Sequence, residues 1–153
     1  MIAYVLGAPG SGKTSVASHL RQREVNRLIL DWDGLQEAAG ELAGTHIPTS
    51  VRTWEPYGRL MRAVVDQVGA VDTILFGVCT PDELAGWPIE RWLLLDCDDD
   101  ERRRRLERRD DGGVEEALLD AAAYRQLGLP SLDTTGRSIP EVGDAILALL
   151  EKG

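Results

Sequence analysis

The sequence predicts one α/β domain spanning residues 1–153, a doubly wound sheet of five mainly parallel strands with helices on both faces. Three observations carry this. Five short apolar runs are near-continuous rather than alternating, the pattern of strands covered on both faces. Segments with helical spacing separate them, and strands alternating with helices build a parallel sheet through right-handed crossovers. The first run also opens into a glycine-rich turn, Gly7-Ala8-Pro9-Gly10-Ser11-Gly12-Lys13-Thr14, that leads straight into a helix.

The strands fall at 2–6, 27–30, 71–78, 91–95 and, more weakly, 129–132. Helices follow at 13–23 and 35–42, then at 54–68, where Leu60, Met61, Val64, Val65 and Val68 repeat on one face. A charged helix at 98–109, an Ala- and Leu-rich one at 114–127 and a last one at 140–150 complete the chain. Gly112-Gly113, set among acids and arginines, marks the candidate mobile segment, and 98–125 is a candidate small lid. No internal repeat or low-complexity linker divides the chain.

Composition excludes several classes. A hydrophobic fraction of 43% with 28% charged residues is that of a soluble globular protein. No apolar run approaches the roughly 20 residues of a membrane helix. The strand-like start at Ile2 predicts no signal peptide, so the expected location is cytoplasmic with no membrane partner. A net charge of −9 argues against a nucleic-acid partner. Cys79 and Cys97 lie in different apolar segments without metal-ligand spacing and read as buried thiols. His19 and His46 likewise lack neighbours at metal spacing.

The glycine-rich turn is the specific signal. Gly-x-x-x-x-Gly-Lys-Thr between a strand and a helix is a phosphate-binding loop in its required context. Gly7, Gly10 and Gly12 let the backbone turn tightly and aim N–H groups at an anion. The helix start adds its positive dipole end. Lys13 supplies a charge for the β- and γ-phosphates, and Thr14 offers a hydroxyl to Mg²⁺. Gly7, Ala8, Pro9, Gly10, Ser11, Gly12, Lys13, Thr14 and Ser15 are thus the expected contacts for ATP or another nucleoside triphosphate.

The second strand runs into Asp31-Trp32-Asp33-Gly34. Residues at carboxyl ends of such strands face the ligand crevice, and carboxylates at i and i+2 of an extended segment point the same way. One could hold Mg²⁺ and the other accept an acceptor's proton; alternatively, one of them simply caps the following helix.

With the phosphate loop, the Asp-x-Asp, an Arg-Leu-x-x-Arg helix after strand four (Arg105 to Arg109) and a late Asp-Thr-Thr (Asp133 to Thr135), the chain resembles the small P-loop kinases. These are the shikimate kinase, gluconate kinase and chloramphenicol phosphotransferase group, placed with the nucleoside monophosphate kinases. The resemblance spans most of the chain and implies a P-loop kinase-like fold. It also implies roles: Asp31 with Thr14 on Mg²⁺, Asp33 at the acceptor hydroxyl, and Arg105 and Arg109 at the transferring phosphoryl group. The turn at Asp133 and Thr134 would border the base. Two departures stand against any one member. The arginine-and-glycine acceptor signature of shikimate kinases is missing, as is the Gly-Asp-x-Leu-His of gluconate kinases. The third strand, ending Gly77-Val78-Cys79-Thr80, also lacks the Asp by which many P-loop ATPases organise Mg²⁺.

Each of these segments has a plainer alternative. The acids of 98–101 stand four residues before arginines and could make only exposed pairs. Trp54, Tyr57 and Arg59, in the segment 48–59 where relatives insert acceptor-binding helices, are candidate substrate contacts, yet the two rings could equally plug a helix entry. Thr135 or Ser138 could merely cap the last helix. The expected function is a Mg²⁺-dependent kinase moving the γ-phosphoryl group of ATP to a hydroxyl or phosphate of a small-molecule acceptor. The rivals are a nucleotide-dependent ligand-binding or resistance protein and a P-loop NTPase with no phosphorylated acceptor.

Overall fold

The computed structural model describes residues 1–47, 51–109 and 112–151. Strands β1 (Ile2–Leu6), β2 (Leu28–Asp31), β3 (Thr73–Gly77), β4 (Arg91–Asp96) and β5 (Ser131–Asp133) form one sheet in the order β2-β3-β1-β4-β5. Every pairing is parallel. β1 is central, so the loop leaving it emerges at the carboxyl edge between two neighbours, where open α/β sheets form their ligand crevice.

The helices are α1 (Lys13–Arg23), α2 (Gln36–Ala43), α3 (Val51–Val68), α4 (Asp99–Arg109), α5 (Val114–Arg125) and α6 (Ile139–Glu151), with a 3₁₀ turn over Trp32–Leu35. The two-residue period of β1 sorts the core into two layers. Ala3 and Val5 pack with Val16 and Leu20 of α1 and Ile146 of α6. Ile2, Tyr4 and Leu6 pack on the opposite face with Tyr57, Met61 and Val65 of α3. Because both faces of β1 and β3 are buried, these strands read as unbroken apolar runs. The predicted fold class is therefore the observed one.

Two boundaries differ from expectation, with consequences for the site. α3 begins at Val51 rather than at 54 and runs through Pro56. The missing N–H of Pro56 falls early in the helix on its exposed side, where water can serve the freed carbonyl. β2 ends at Asp31 rather than at residue 30, with Asp31 paired to Phe76. The chain then enters the 3₁₀ turn, so the extended geometry assumed for Asp31 and Asp33 stops at Asp31. Pro48, Thr49 and Ser50 of the acceptor segment, and residues 110 and 111 of the lid segment, lie outside the described residues.

Close packing fixes the end of β3. A Cβ on Gly77 would stand 2.1 Å from Tyr4 Oη. That hydroxyl accepts the Cys79 N–H at 3.0 Å, tying the turn after β3 to the central strand. Cys79 and Cys97 are free and buried as expected, and burial pushes the Cys79 thiol up to about 12.

Candidate nucleotide and acceptor site

The loop between β1 and α1 has the backbone its glycines permit. Gly10 and Gly12 adopt left-handed conformations, with φ of 82° and 97°. At Gly7 the constraint is steric, since a Cβ there would meet Ser11 Oγ at 2.6 Å and the Leu95 carbonyl oxygen at 2.9 Å. Gly12 caps α1 without a side chain, leaving the first helical N–H groups facing the loop's interior.

Lys13 is 7% exposed, and its ammonium donates to the loop's own carbonyls, that of Gly7 and, at 3.4 Å, that of Ala8. Burial pulls its pKa down to about 8 against the attraction of Asp33 and Asp31, while Arg102 and Arg109 push it further down. Ser11 Oγ is buried with no hydrogen-bond partner. A loop of inward amides, an unpartnered hydroxyl and a buried cation bonded only to carbonyls is a cradle that fits phosphate oxygens.

In front of it lies a cavity of about 170 Å³ bordered by Lys13, Thr14, Asp33 and Arg109. Asp31 is buried and accepts the Asp33 N–H at 3.1 Å, capping the 3₁₀ turn. The capping alternative raised from the sequence is thus seen at Asp31, on the 3₁₀ turn that precedes α2. Asp33 accepts from Gln36 Nε2 at 2.7 Å. Desolvation raises its pKa, opposed by Lys13 and reinforced by Asp31. The two carboxylates act on Lys13 by their charge, from a turn rather than from an extended strand.

A larger cleft of about 460 Å³ opens beyond Ser11, Gly12 and Ser15, between α4 and the turn into α6, with Arg105, Arg108, Arg109, Thr134 and Arg137 on its walls. Thr134 Oγ1 donates to the Ser11 carbonyl at 3.1 Å, joining this turn to the phosphate loop. Asp133 is turned onto its own turn, accepting from the Thr135 N–H at 2.8 Å. Ser138 and Glu141 cap α6 reciprocally.

The arginines of α4 divide by depth. Arg105 donates to the Gly10 carbonyl at 3.2 Å and to Thr134 Oγ1 and carbonyl at 3.0 Å, with Glu101 at 2.8 Å. Its guanidinium braces loop against turn. Arg109 is exposed and borders both the phosphate cavity and the cleft. Sequence reasoning missed Arg102. It is 0% exposed and pairs with Asp96 at 2.5 Å, while donating to the carbonyls of Pro9 at 2.5 Å and Ala8 at 3.4 Å. Arg125 grips the same carboxylate at 2.6 Å and reaches Asp99 at 2.8 Å. The available signal was position. Asp96 ends the strand beside β1, and Arg102 stands one helical face away from the exposed series.

Trp32, which precedes Asp33, joins Trp54 and Trp87 in walling a groove of about 380 Å³, with Arg59 and Arg62 at its edge. Tyr57 is buried behind it and donates its hydroxyl to the Trp32 carbonyl. The ring supports the wall rather than facing the groove.

Residues 4–122 match the model of a family described as AAA domain. The chain belongs to this family. The matched span holds the phosphate loop, Asp31, Asp33 and the α4 arginines, and ends before Thr134. No curated protein sequence matches the chain. Among solved structures it is similar to TT1252 from Thermus thermophilus, at 19% identity and a TM-score of 0.65 over 98% of this chain and 97% of that one. The shikimate kinase from Acinetobacter baumannii, in complex with shikimate, gives 19% and 0.64 over 99% and 93%. An uncharacterized protein from Eubacterium ventriosum ATCC 27560 gives 14% and 0.61 over 100% and 99%. At these identities the likeness is one of fold, and the fold is that of the small P-loop kinases. Among the described residues no helix is long and apolar enough to cross a membrane.

Proposed function

We propose that the protein is a Mg²⁺-dependent small-molecule kinase that transfers the γ-phosphoryl group of ATP to a hydroxyl or phosphate of a small acceptor. The observation that carries it is Asp33, a carboxylate of raised proton affinity that borders the phosphate cavity with Lys13 and directly follows Trp32, a wall of the aromatic groove. A plain NTPase needs no aromatic groove next to such a carboxylate.

In this reading the loop amides and Lys13 bind the β- and γ-phosphates, and the nucleoside lies toward Ser15, Thr134 and Arg137. Asp33 orients the acceptor and takes its proton as the new bond forms, which is general-base work at a group poised by its surroundings. Arg109, at the junction of both cavities, faces the charge that develops on the transferring oxygens, and Arg105 holds the loop on which they sit. Trp54 and Arg59 flank the acceptor. Thr14 and Asp31 would hold Mg²⁺, which when bound neutralises charge on the phosphate oxygens. The donor set fits that ion. A hydroxyl and a carboxylate are hard oxygen donors, and Mg²⁺ is usually held by one or two side chains plus phosphate oxygens and water.

The test is ADP release with ATP and Mg²⁺ across hydroxylated acceptors, nucleotides and sugar acids, shikimate included, with Lys13→Ala as the blank. Acceptor-dependent release that vanishes in the blank is expected. Asp31→Asn and Asp33→Asn should each lower turnover, Asp33→Asn by about 10²–10⁴-fold, with nucleotide affinity nearly intact. Full activity in Asp33→Asn would remove it from the reaction.

A further inference from the structure

The groove beside Asp33 has a chemistry of its own. Trp32 meets Trp54 at a centroid distance of 6.1 Å and Trp87 at 5.7 Å. These tilted rings leave aromatic surface around a volume that suits one ring system with short substituents.

The charges at the groove are already matched. Arg59 pairs with Glu55 at 2.9 Å. Arg62 binds Asp66 at 2.9 Å, donates to the Gly86 carbonyl at 2.8 Å and lies 5.7 Å from the centre of the Trp87 ring. Glu83 accepts from the Thr80 N–H at 2.7 Å and its hydroxyl at 3.1 Å. The Cys79 thiol is held protonated by burial. Each cation on the described walls already has a carboxylate partner, so an anion seated among the indoles would lose hydration and compete with Glu55 or Asp66 for a guanidinium.

The groove and the phosphate cavity are lined by neighbours in the chain. Trp32 and Asp33 are consecutive, with one on each side, and so are Cys79 and Val78. A ring in the groove would hold a hydroxyl substituent toward Asp33.

We infer that the aromatic groove takes an uncharged, flat-ringed alcohol, and that this alcohol is the phosphoryl acceptor. The inference rests on the kinase reading for its chemistry and deepens it by naming the substrate class. The hydroxyl oxygen forms a bond to the γ-phosphorus, and the bond from that phosphorus to the β–γ bridging oxygen breaks to leave ADP. The hydroxyl proton passes to the Asp33 carboxylate. The resting pairs disfavour carboxylated and phosphorylated analogues, which must compete with Glu55 and Asp66 for the two guanidiniums.

Three of the four tryptophans line the groove, while Trp92 packs on Tyr4 with centroids 4.7 Å apart. Tryptophan fluorescence in a Trp92→Phe background therefore reads groove occupancy without turnover. The probes are 1-phenylethane-1,2-diol, its acid counterpart mandelate, and the aliphatic 1,2-butanediol. The phenyl diol should quench and bind about tenfold or more tighter than either of the others, with the discrimination set by the anion's competition for a paired guanidinium and the missing ring. Trp54→Leu, checked for retained ATP binding, should weaken the diol alone. Equal or tighter binding of mandelate or butanediol, or no quenching by the diol, overturns the inference. ADP release stimulated only by anionic acceptors overturns it while leaving the kinase standing. Selective diol binding without ADP release from any acceptor keeps the groove's preference and removes the kinase.

Discussion

The lowered pKa of Lys13 makes nucleotide binding a proton-linked event. In the free protein its pKa is about 8, chiefly through burial. A triphosphate in the cradle places several negative charges beside the ammonium, which favours the charged form and returns the pKa toward or above the ordinary 10.5. Between those values the free protein has lost the proton and the complex holds it, so binding takes a proton up. At pH 8.5 about three-quarters of a proton should enter per nucleotide bound. From pH 7 to 9.5 affinity should fall by about 30-fold, roughly 2 kcal/mol. Isothermal titration calorimetry at pH 8.5 in two buffers of different ionisation enthalpy measures the uptake, and Lys13→Met isolates it. Uptake near zero in the parent protein, or undiminished in Lys13→Met, would refute the assignment. Stability without ligand has the opposite sign. The folded state binds fewer protons than the unfolded one from pH 8 to 10.5, so stability rises with pH through that window. Below pH 8 the buried charge costs on the order of 3 kcal/mol. Lys13→Met should accordingly stabilise the ligand-free protein at pH 7 while weakening ATP binding.

Other expectations follow from single contacts. Arg102→Met removes the buried partner of Asp96 and the donor to Pro9 and Ala8, leaving Arg125 on the carboxylate. Urea unfolding should show a loss of about 2–4 kcal/mol with weaker ATP binding, and the double variant Arg102→Met/Asp96→Leu should recover part of the stability. Unchanged unfolding in Arg102→Met would mean that the pair contributes nothing. Gly77→Ala forces a methyl onto Tyr4 Oη and should lower stability by roughly 2–4 kcal/mol, and adding Tyr4→Phe should relieve part of it. Thermal melts of the two variants check this, and equal losses in both would place the clash elsewhere.

Much of this architecture is legible because its signals are local and periodic. The runs of β1 and β3 needed both faces buried, and the glycine spacing of the phosphate loop admits few other backbones. What escaped were features set by depth and by short irregular turns. The interleaved charges of 98–109 look alike in sequence. Only packing separates Arg102, sealed against Asp96, from Arg108 and Arg109 in solvent. Tyr57 reads as a substrate contact until its hydroxyl is found on the Trp32 carbonyl. Trp87, far along the chain from Trp54, joins the groove only through the fold.

The carboxylates at the carboxyl edge of the sheet also sort themselves by what already holds them. Asp96 is gripped by two guanidiniums and Asp133 by the amide of its own turn. Asp31 carries the Asp33 N–H on one oxygen while sitting buried beside Lys13. Asp33 has an exposed side chain with one neutral amide partner, and desolvation on its inner side together with the charge of Asp31 raises its hold on a proton against the pull of Lys13. A general base needs proton affinity and an oxygen free to meet the acceptor, and the Asp96 oxygens are taken up by Arg102 and Arg125. Asp33, in the turn that follows β2, is the acid of raised proton affinity that borders the phosphate cavity, one residue from Trp32 of the aromatic groove, and on the proposed reading it is there that the acceptor's proton leaves as phosphoryl transfer occurs.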